Sequence, residues 1–339
     1  MRILIRTDGG PNIGMGHIMR TLTLAKELKK YFDVAFVCRT ELQDKTFNQN
    51  GEFADGVHKI QVLGFKILFI RDDKVLEDLA ELKADILITD SYDVTEDYFI
   101  ETKKMFNKTI YIDDMCLYNF KNTDMIINQN INAEDLDYKL NVGTSYLLGC
   151  NYTILREEFR NSNINYIKRK AREIMITFGG SDPFLLTLKT LYYLKDEPYN
   201  FHVVVGPAFN NEYINKLKSY ETYSNINFYY NANMRALMEK SDICISAAGS
   251  TLYELCSIGV PSISVIIAEN QTKVAEKFDN MQIIKNLGWH NEINKEKIVG
   301  ELGELSKSYS KRKEISLKAR NLVDGEGTLR IVEKILDMV

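Results

Sequence analysis

One histidine stands where proton transfer is feasible. His17 lies in Ile13-Gly14-Met15-Gly16-His17-Ile18-Met19-Arg20, at the end of a glycine-bearing stretch. A helix N-terminus disfavours imidazolium, and a neutral imidazole facing a cleft can take a proton from water. Gly14 and Gly16 permit ligand approach that a Cβ would obstruct. His17 could equally do no more than cap a first helical turn. Carboxylates close two later apolar runs: Asp90, followed by Ser91-Tyr92, and the pair Asp113-Asp114. Tyr92 and these acids could face the same cleft as His17. Aspartates after strands are also ordinary turn residues and helix caps.

Two further stretches could hold an anion. In Gly179-Gly180-Ser181 and Gly249-Ser250-Thr251, small residues let backbone N–H groups and hydroxyls approach an anion at a helix N-terminus. Together they could cradle a diphosphate. Neither is a Walker loop, and GxGxxG is absent from the sequence. Glu254 lies one turn into the following helix, where a carboxylate can accept both hydroxyls of a ribose or simply favour the helix dipole. Asn270 and Gln271 offer amides to a sugar or phosphate, or begin a helix.

These side chains need strands and helices to place them. Ile3-Leu4-Ile5 reads as a first strand, and Ile18, Leu22, Ala25 and Leu28 recur at helical spacing from near His17. The loop from Thr7 to Gly16 runs to about ten residues, longer than the usual two to six. Apolar runs at 33–38, 66–70, 85–90, 109–114, 125–127 and 146–148 alternate with helical segments at 75–83 and 96–106. The alternation restarts at 173–178 and continues through 202–205, 227–230 and 242–246 to a last clear strand at 262–267. Helices are expected to fill the remainder. This pattern predicts doubly wound parallel sheets. The polar, basic segment 161–172 is the best linker, which divides the chain into domains 1–160 and 161–339.

Length and composition agree. A chain of 339 residues suggests two domains, and 45% hydrophobic with 27% charged residues is ordinary for a globular protein. A net charge of -4 with interspersed signs gives no nucleic-acid footprint. The five cysteines form no CxxC pair, and Met1 leads straight into the first strand. A reducing cytoplasm and no signal peptide are therefore expected. No segment approaches the ~18 apolar residues needed to span a bilayer, so no membrane insertion is expected. His58, His202 and His290 are scattered without metal-ligand spacing and read as structural or surface residues.

Ala248-Gly249-Ser250-Thr251, Glu254-Leu255, Gly259-Val260-Pro261 and Asn270-Gln271 resemble the donor half of type-B, two-Rossmann-domain glycosyltransferases. Within that superfamily they are similar to the enzyme that adds N-acetylglucosamine to the peptidoglycan lipid precursor. The first half narrows the resemblance. Gly14-Met15-Gly16-His17-Ile18-Met19-Arg20, Asp90-Ser91-Tyr92, Leu155-Arg156-Glu157-Glu158-Phe159 and Gly179-Gly180-Ser181-Asp182 resemble the UDP-2,4-diacetamido-2,4,6-trideoxy-β-L-altropyranose hydrolases of pseudaminic acid biosynthesis.

The resemblance covers nearly the whole chain and implies an α/β fold of two Rossmann-like domains facing a cleft. It implies an N-terminal domain carrying the catalytic histidine and the sugar site, and a UDP-binding C-terminal domain with a helical extension. It implies release of UDP from the nucleotide sugar by water, with no metal and no cofactor. His17 falls on the family's proposed base. Tyr92 falls near the sugar, and Gly14, Gly16 and Arg20 of the histidine motif fall with it among the expected substrate-binding residues. Gly179, Gly180, Ser181, Gly249, Ser250, Thr251, Glu254, Asn270 and Gln271 fall on the nucleotide side. The partner expected is a small UDP-sugar, with no nucleic acid and no obligate protein partner. The helical region 291–339 is longer than in compact members. A glycosyltransferase of the same fold and a non-catalytic nucleotide-sugar-binding module are the alternatives.

Overall fold

The computed structural model describes residues 1–10, 12–160 and 167–339. Part of the expected linker, residues 161–166, lies outside the described residues, as does Pro11. The chain divides into two compact units: Met1–Leu155 with Glu326–Val339, and Arg156–Gly325.

Among the described residues the first unit holds seven strands: β1 (Arg2–Thr7), β2 (Asp33–Thr40), β3 (Lys66–Arg71), β4 (Ile86–Asp90), β5 (Lys108–Ile112), β6 (Met125–Asn128) and β7 (Ser145–Leu148). They lie in the order β3-β2-β1-β4-β5-β6-β7. Every neighbouring pair is parallel. Side chains alternate between the two faces with a period of two. Ile3, Ile5, Phe36 and Ile88 therefore pack into one core cluster, and Leu4, Val37 and Leu87 into another. Both faces are buried, as a parallel sheet requires.

The second unit repeats the pattern with β8 (Glu173–Thr177), β9 (Asn200–Val205), β10 (Ile226–Tyr230), β11 (Ile243–Ala247), β12 (Ser262–Ile266) and β13 (Ile284–Trp289). Their order is β10-β9-β8-β11-β12-β13, again all parallel. β13 lies in a stretch where only helices were expected. Lys285, Asn286 and Gly288 break its apolar run, and as an edge strand it buries only part of its length.

In each sheet the strand order reverses once, between β1 and β4 and between β8 and β11. Ligands in open α/β sheets bind outside the carboxyl ends of strands at such a point. His17 follows β1 and Asp90 ends β4, and Thr7 pairs with Asp90 in the register. The two glycine loops follow β8 and β11, which pair through Thr177 and Ser246.

The terminal residues correct the expected boundary. The helix Gly327–Leu336 belongs to the first unit rather than to an extension of the second. Its Ile331, Val332 and Ile335 join the cluster that holds Ile3 and Ile5. The Thr328 hydroxyl donates to the Leu155 carbonyl and accepts from the Leu155 N–H, each at 3.1 Å. A Cβ on Gly327 would come within 2.4 Å of the Thr153 carbonyl, so only glycine allows this approach.

Ile331 is fully buried. Ile331→Ala is expected to destabilise the first unit by about 2–5 kcal/mol, read as a lowered urea midpoint. A midpoint equal to wild type would show that the last helix does not support that core.

Candidate active site

The helix Gly16–Leu28 presents His17 and Arg20 three residues apart, and so on one face. Its N-terminus has no side-chain cap, and its first turn carries no acidic residue. Gly14 adopts φ +81°, a region that favours glycine. Its N–H donates to the Gly10 carbonyl at 2.7 Å, closing the loop on itself. A Cβ on Gly14 or Gly16 would meet nothing within 4 Å, so both leave open space beside the histidine.

Asp90 is the hub of the cluster. Its side chain is fully buried, and Oδ1 lies 2.5 Å from His17 Nδ1. Arg20 donates to the same carboxylate through Nε at 2.6 Å and Nη2 at 2.6 Å. It also donates to Asp114 through Nη1 at 2.8 Å and Nη2 at 2.9 Å. Asp114 accepts further bonds from the Tyr92 hydroxyl at 2.7 Å and from Asn130 Nδ2 at 3.0 Å. The His17 and Tyr92 rings meet edge to face, with centroids 4.6 Å apart and an angle of 85°.

Burial pushes the Asp90 carboxyl up, but Arg20 and His17 outweigh burial and hold it below its ordinary value. Asp114 is likewise held well below the usual carboxylate range, with Arg20 overcoming burial. Burial opposes the charge on Arg20, yet Asp114 and Asp90 raise it well above its ordinary value.

Asp90 is therefore ionised and can only accept. The 2.5 Å contact then assigns a proton to His17 Nδ1. Arg20 Nη2, 3.2 Å from that nitrogen, faces a donor and makes no hydrogen bond to it. In the neutral ring the remaining lone pair is on Nε2. A carboxylate that fixes a histidine tautomer in this way is the orienting half of an acid–base pair.

The other expected acid goes elsewhere. Asp113 accepts from the Tyr138 hydroxyl and from the N–H groups of Met115 and Cys116. Burial raises its carboxyl above the ordinary value. It is a turn residue, as one of the two sequence readings had it. Asn130 was not singled out from sequence. It follows the polar strand end Asn128-Gln129, the one signal that could have pointed to it.

In the second unit the two glycine loops differ. Gly179 has φ +85°, and Gly179, Gly180 and Ser181 are exposed. The helix beyond them begins only at Leu186. The Asp182 carboxylate already accepts the N–H groups of Leu186 and Thr187 at 2.8 Å each and the Tyr213 hydroxyl at 2.5 Å. That helix terminus is filled by a carboxylate of the chain itself. The expectation that Gly179-Gly180-Ser181 presents a helix N-terminus to an anion is corrected, and only its loop N–H groups remain.

The other loop leads directly into the helix Thr251–Ile258, whose terminus has no side-chain cap. Glu254 lies on its first turn with 16% of its side chain exposed. Gln271 is adjacent: its Nε2 would lie 3.5 Å from a Cβ on Gly249, and its Oε1 accepts the Ile267 N–H at 3.0 Å. Asn270 is exposed beside it. His202 meets Glu173 and Tyr229, and His290 stacks on Phe184. Among the described residues no group of three or more His, Cys, Asp or Glu could hold a metal ion. No helix among them is long and apolar enough to cross a membrane.

Residues 174–325 match the glycosyltransferase family 28 C-terminal domain. The chain is 33% identical over 284 residues to an uncharacterized protein of Methanocaldococcus jannaschii. That match takes in 80% of this chain and 56% of the relative, so the chain spans about half the relative's length. It is 26% identical to the spore coat polysaccharide biosynthesis protein SpsG of Bacillus subtilis, over 100% of this chain and 98% of that one. It is 25% identical to the UDP-2,4-diacetamido-2,4,6-trideoxy-β-L-altropyranose hydrolase of Campylobacter jejuni, over 81% of this chain and 95% of the relative. Among solved structures, MurG of Acinetobacter baumannii superposes with a TM-score of 0.70 at 14% identity, over 99% of both chains. The fold is α/β and type-B glycosyltransferase-like.

Asp90 and Asp114 titrate below their unfolded value of about 3.9. They contribute stability that is present above about pH 4 and lost as pH falls through their folded values. Acid titration of wild type by chemical denaturation is expected to show that loss. Arg20→Ala leaves two buried carboxylates uncompensated and is expected to cost about 3–5 kcal/mol at pH 7. An Arg20→Ala protein as stable as wild type at pH 7 would remove the cluster from the balance.

Proposed function

We propose that this protein is a metal-independent hydrolase of UDP-2,4-diacetamido-2,4,6-trideoxy-β-L-altropyranose, acting in the cytoplasm in pseudaminic acid biosynthesis. The observation that carries the proposal is the Asp90–His17 contact at 2.5 Å, which leaves Nε2 as a base at the carboxyl end of the first unit's central strands. The Campylobacter jejuni relative of that name supports the choice of substrate.

In the proposed reaction His17 Nε2 takes a proton from water as the water oxygen bonds to the anomeric carbon. The bond from that carbon to the diphosphate oxygen breaks, and UDP leaves with the electron pair. N–H groups of Gly249-Ser250-Thr251, at a helix terminus without a side-chain cap, stabilise the charge that develops on the diphosphate. Gly179, Gly180, Ser181, Gly249, Ser250 and Thr251 take the diphosphate side. Glu254, Asn270 and Gln271 take the nucleoside and sugar. Tyr92, Gly14 and Gly16 border the reacting sugar. Arg20 spends four of its five N–H donors on Asp90 and Asp114, so it acts through them.

A second reading is a UDP-sugar-dependent glycosyltransferase, which the match to the glycosyltransferase family 28 C-terminal domain favours. The two separate in one assay, with the diacetamido UDP-sugar in ¹⁸O-labelled water and no acceptor. Hydrolysis as proposed releases UDP and places the label on the anomeric oxygen. Label on phosphate would overturn attack at carbon. Bound UDP-sugar without release would favour the transferase or a non-catalytic binding module. General-base assistance contributes about 10²–10⁴-fold. His17→Ala is accordingly expected to lower kcat by that factor with UDP affinity unchanged, and near-normal turnover would remove His17 from the mechanism.

A further inference from the structure

We infer that Arg156 is a positioning residue that presents Glu254 to the ribose of a bound nucleoside diphosphate, and so sets selectivity for ribose over 2′-deoxyribose. The inference rests on the proposed assignment of the nucleotide to the second unit and adds a residue and a selectivity to it.

Arg156 opens the second unit, within Leu155-Arg156-Glu157-Glu158-Phe159. Its guanidinium carbon lies 4.8 Å above the centre of the Phe159 ring, and Phe159 is fully buried. A planar cation over a fixed ring has little rotational freedom. Its Nη1 lies 2.6 Å from Glu158 Oε1, an ion pair on the far side of the fork. Nε and Nη2 then both donate to one atom, Glu254 Oε1, at 3.3 and 3.0 Å. Glu254 Oε2 has no hydrogen-bond partner among the described residues.

A simple staple would engage both oxygens of a carboxylate side by side. Here one oxygen is held by two donors and the other is left to accept, which suits the paired hydroxyls of a ribose. Burial raises the Glu254 carboxyl above its ordinary value, and Arg156 opposes that rise by favouring the charged, acceptor-only form. The placement agrees: Glu254 is one turn beyond Gly249-Ser250-Thr251, at the strand ends where the order of the second sheet reverses.

The competing role is structural, with Arg156 strapping the Glu157–Phe159 turn to the helix Thr251–Ile258. Loss of a strap changes stability but not the choice between two ligands that differ by one hydroxyl. The test is calorimetric binding of UDP and 2′-deoxy-UDP to wild type, Arg156→Met and Arg156→Lys, with unfolding midpoints measured in parallel. A hydrogen bond to a charged acceptor corresponds to about a 10–100-fold preference for UDP in wild type.

Arg156→Met is expected to bring that ratio to within about threefold, and Arg156→Lys to restore part of it. A Met variant with the wild-type ratio overturns the inference, whatever its stability. So does a wild type that binds both nucleotides equally, and that result leaves the hydrolase proposal standing. A wild type that ignores UDP but prefers the ribose form of another nucleoside diphosphate, with the preference lost in Arg156→Met, would keep the inference and overturn the uridine assignment. A wild type that binds no nucleoside diphosphate overturns both.

Discussion

One buried arginine between two carboxylates ties together three elements of the first unit. Arg20 comes from the helix after β1, Asp90 ends β4 and Asp114 follows β5, and these strands are neighbours in the sheet. Burying three ionised groups costs several kcal/mol each unless geometry and hydrogen bonding are close to complete. Four N–H donors to two carboxylates meet that demand. The proposed chemistry depends on the same arrangement. His17 sits one turn before Arg20 and shares Asp90 with it, so the proton assigned to His17 Nδ1 follows from an ion cluster that the fold needs anyway. Tyr92 is held through Asp114 in the same way.

The sheet reversal explains why the cluster forms where it does. Connections from β1 and β4 leave toward opposite faces, and the crevice beyond such a pair of strand ends is where ligands bind in open α/β sheets. The second unit has the same reversal and uses it differently. It gathers two glycine loops, a glutamate and the Asn270-Gln271 amides where the first gathers charged side chains. Of its two glycine loops, one leads to a helix terminus already occupied by Asp182 and the other to a terminus without a side-chain cap. Developing negative charge is therefore better met by N–H groups at Gly249-Ser250-Thr251 than by the helix after Gly179-Gly180-Ser181.

Four aspartates illustrate how little a residue type says without its partners. Asp113 and Asp114 are adjacent in sequence, yet Asp113 closes a turn and Asp114 joins the charged cluster. Asp182 follows β8 and Asp90 ends β4, yet the first accepts N–H groups four and five residues on and the second accepts from the helix after β1. Short-range N–H partners make the caps and turns. The shared long-range cation, Arg20, makes the candidate site.

The alternation of apolar strands and helices is legible in the residues alone, and with it two parallel sheets with His17, Asp90, Tyr92 and the glycine loops at strand ends. It is legible because strand period, helix period and glycine punctuation are local properties. β13 escaped because an edge strand interrupted by Lys285, Asn286 and Gly288 has no clean period. The return of Gly327–Leu336 to the first unit escaped because an amphipathic face says that a helix packs, not on what. Tertiary structure alone decided that Asp90 and Asp114, but not Asp113, share Arg20, and that Arg156 holds one oxygen of Glu254. Those pairings join residues 70, 94 and 98 positions apart, and only the folded sheet order brings them within hydrogen-bonding distance.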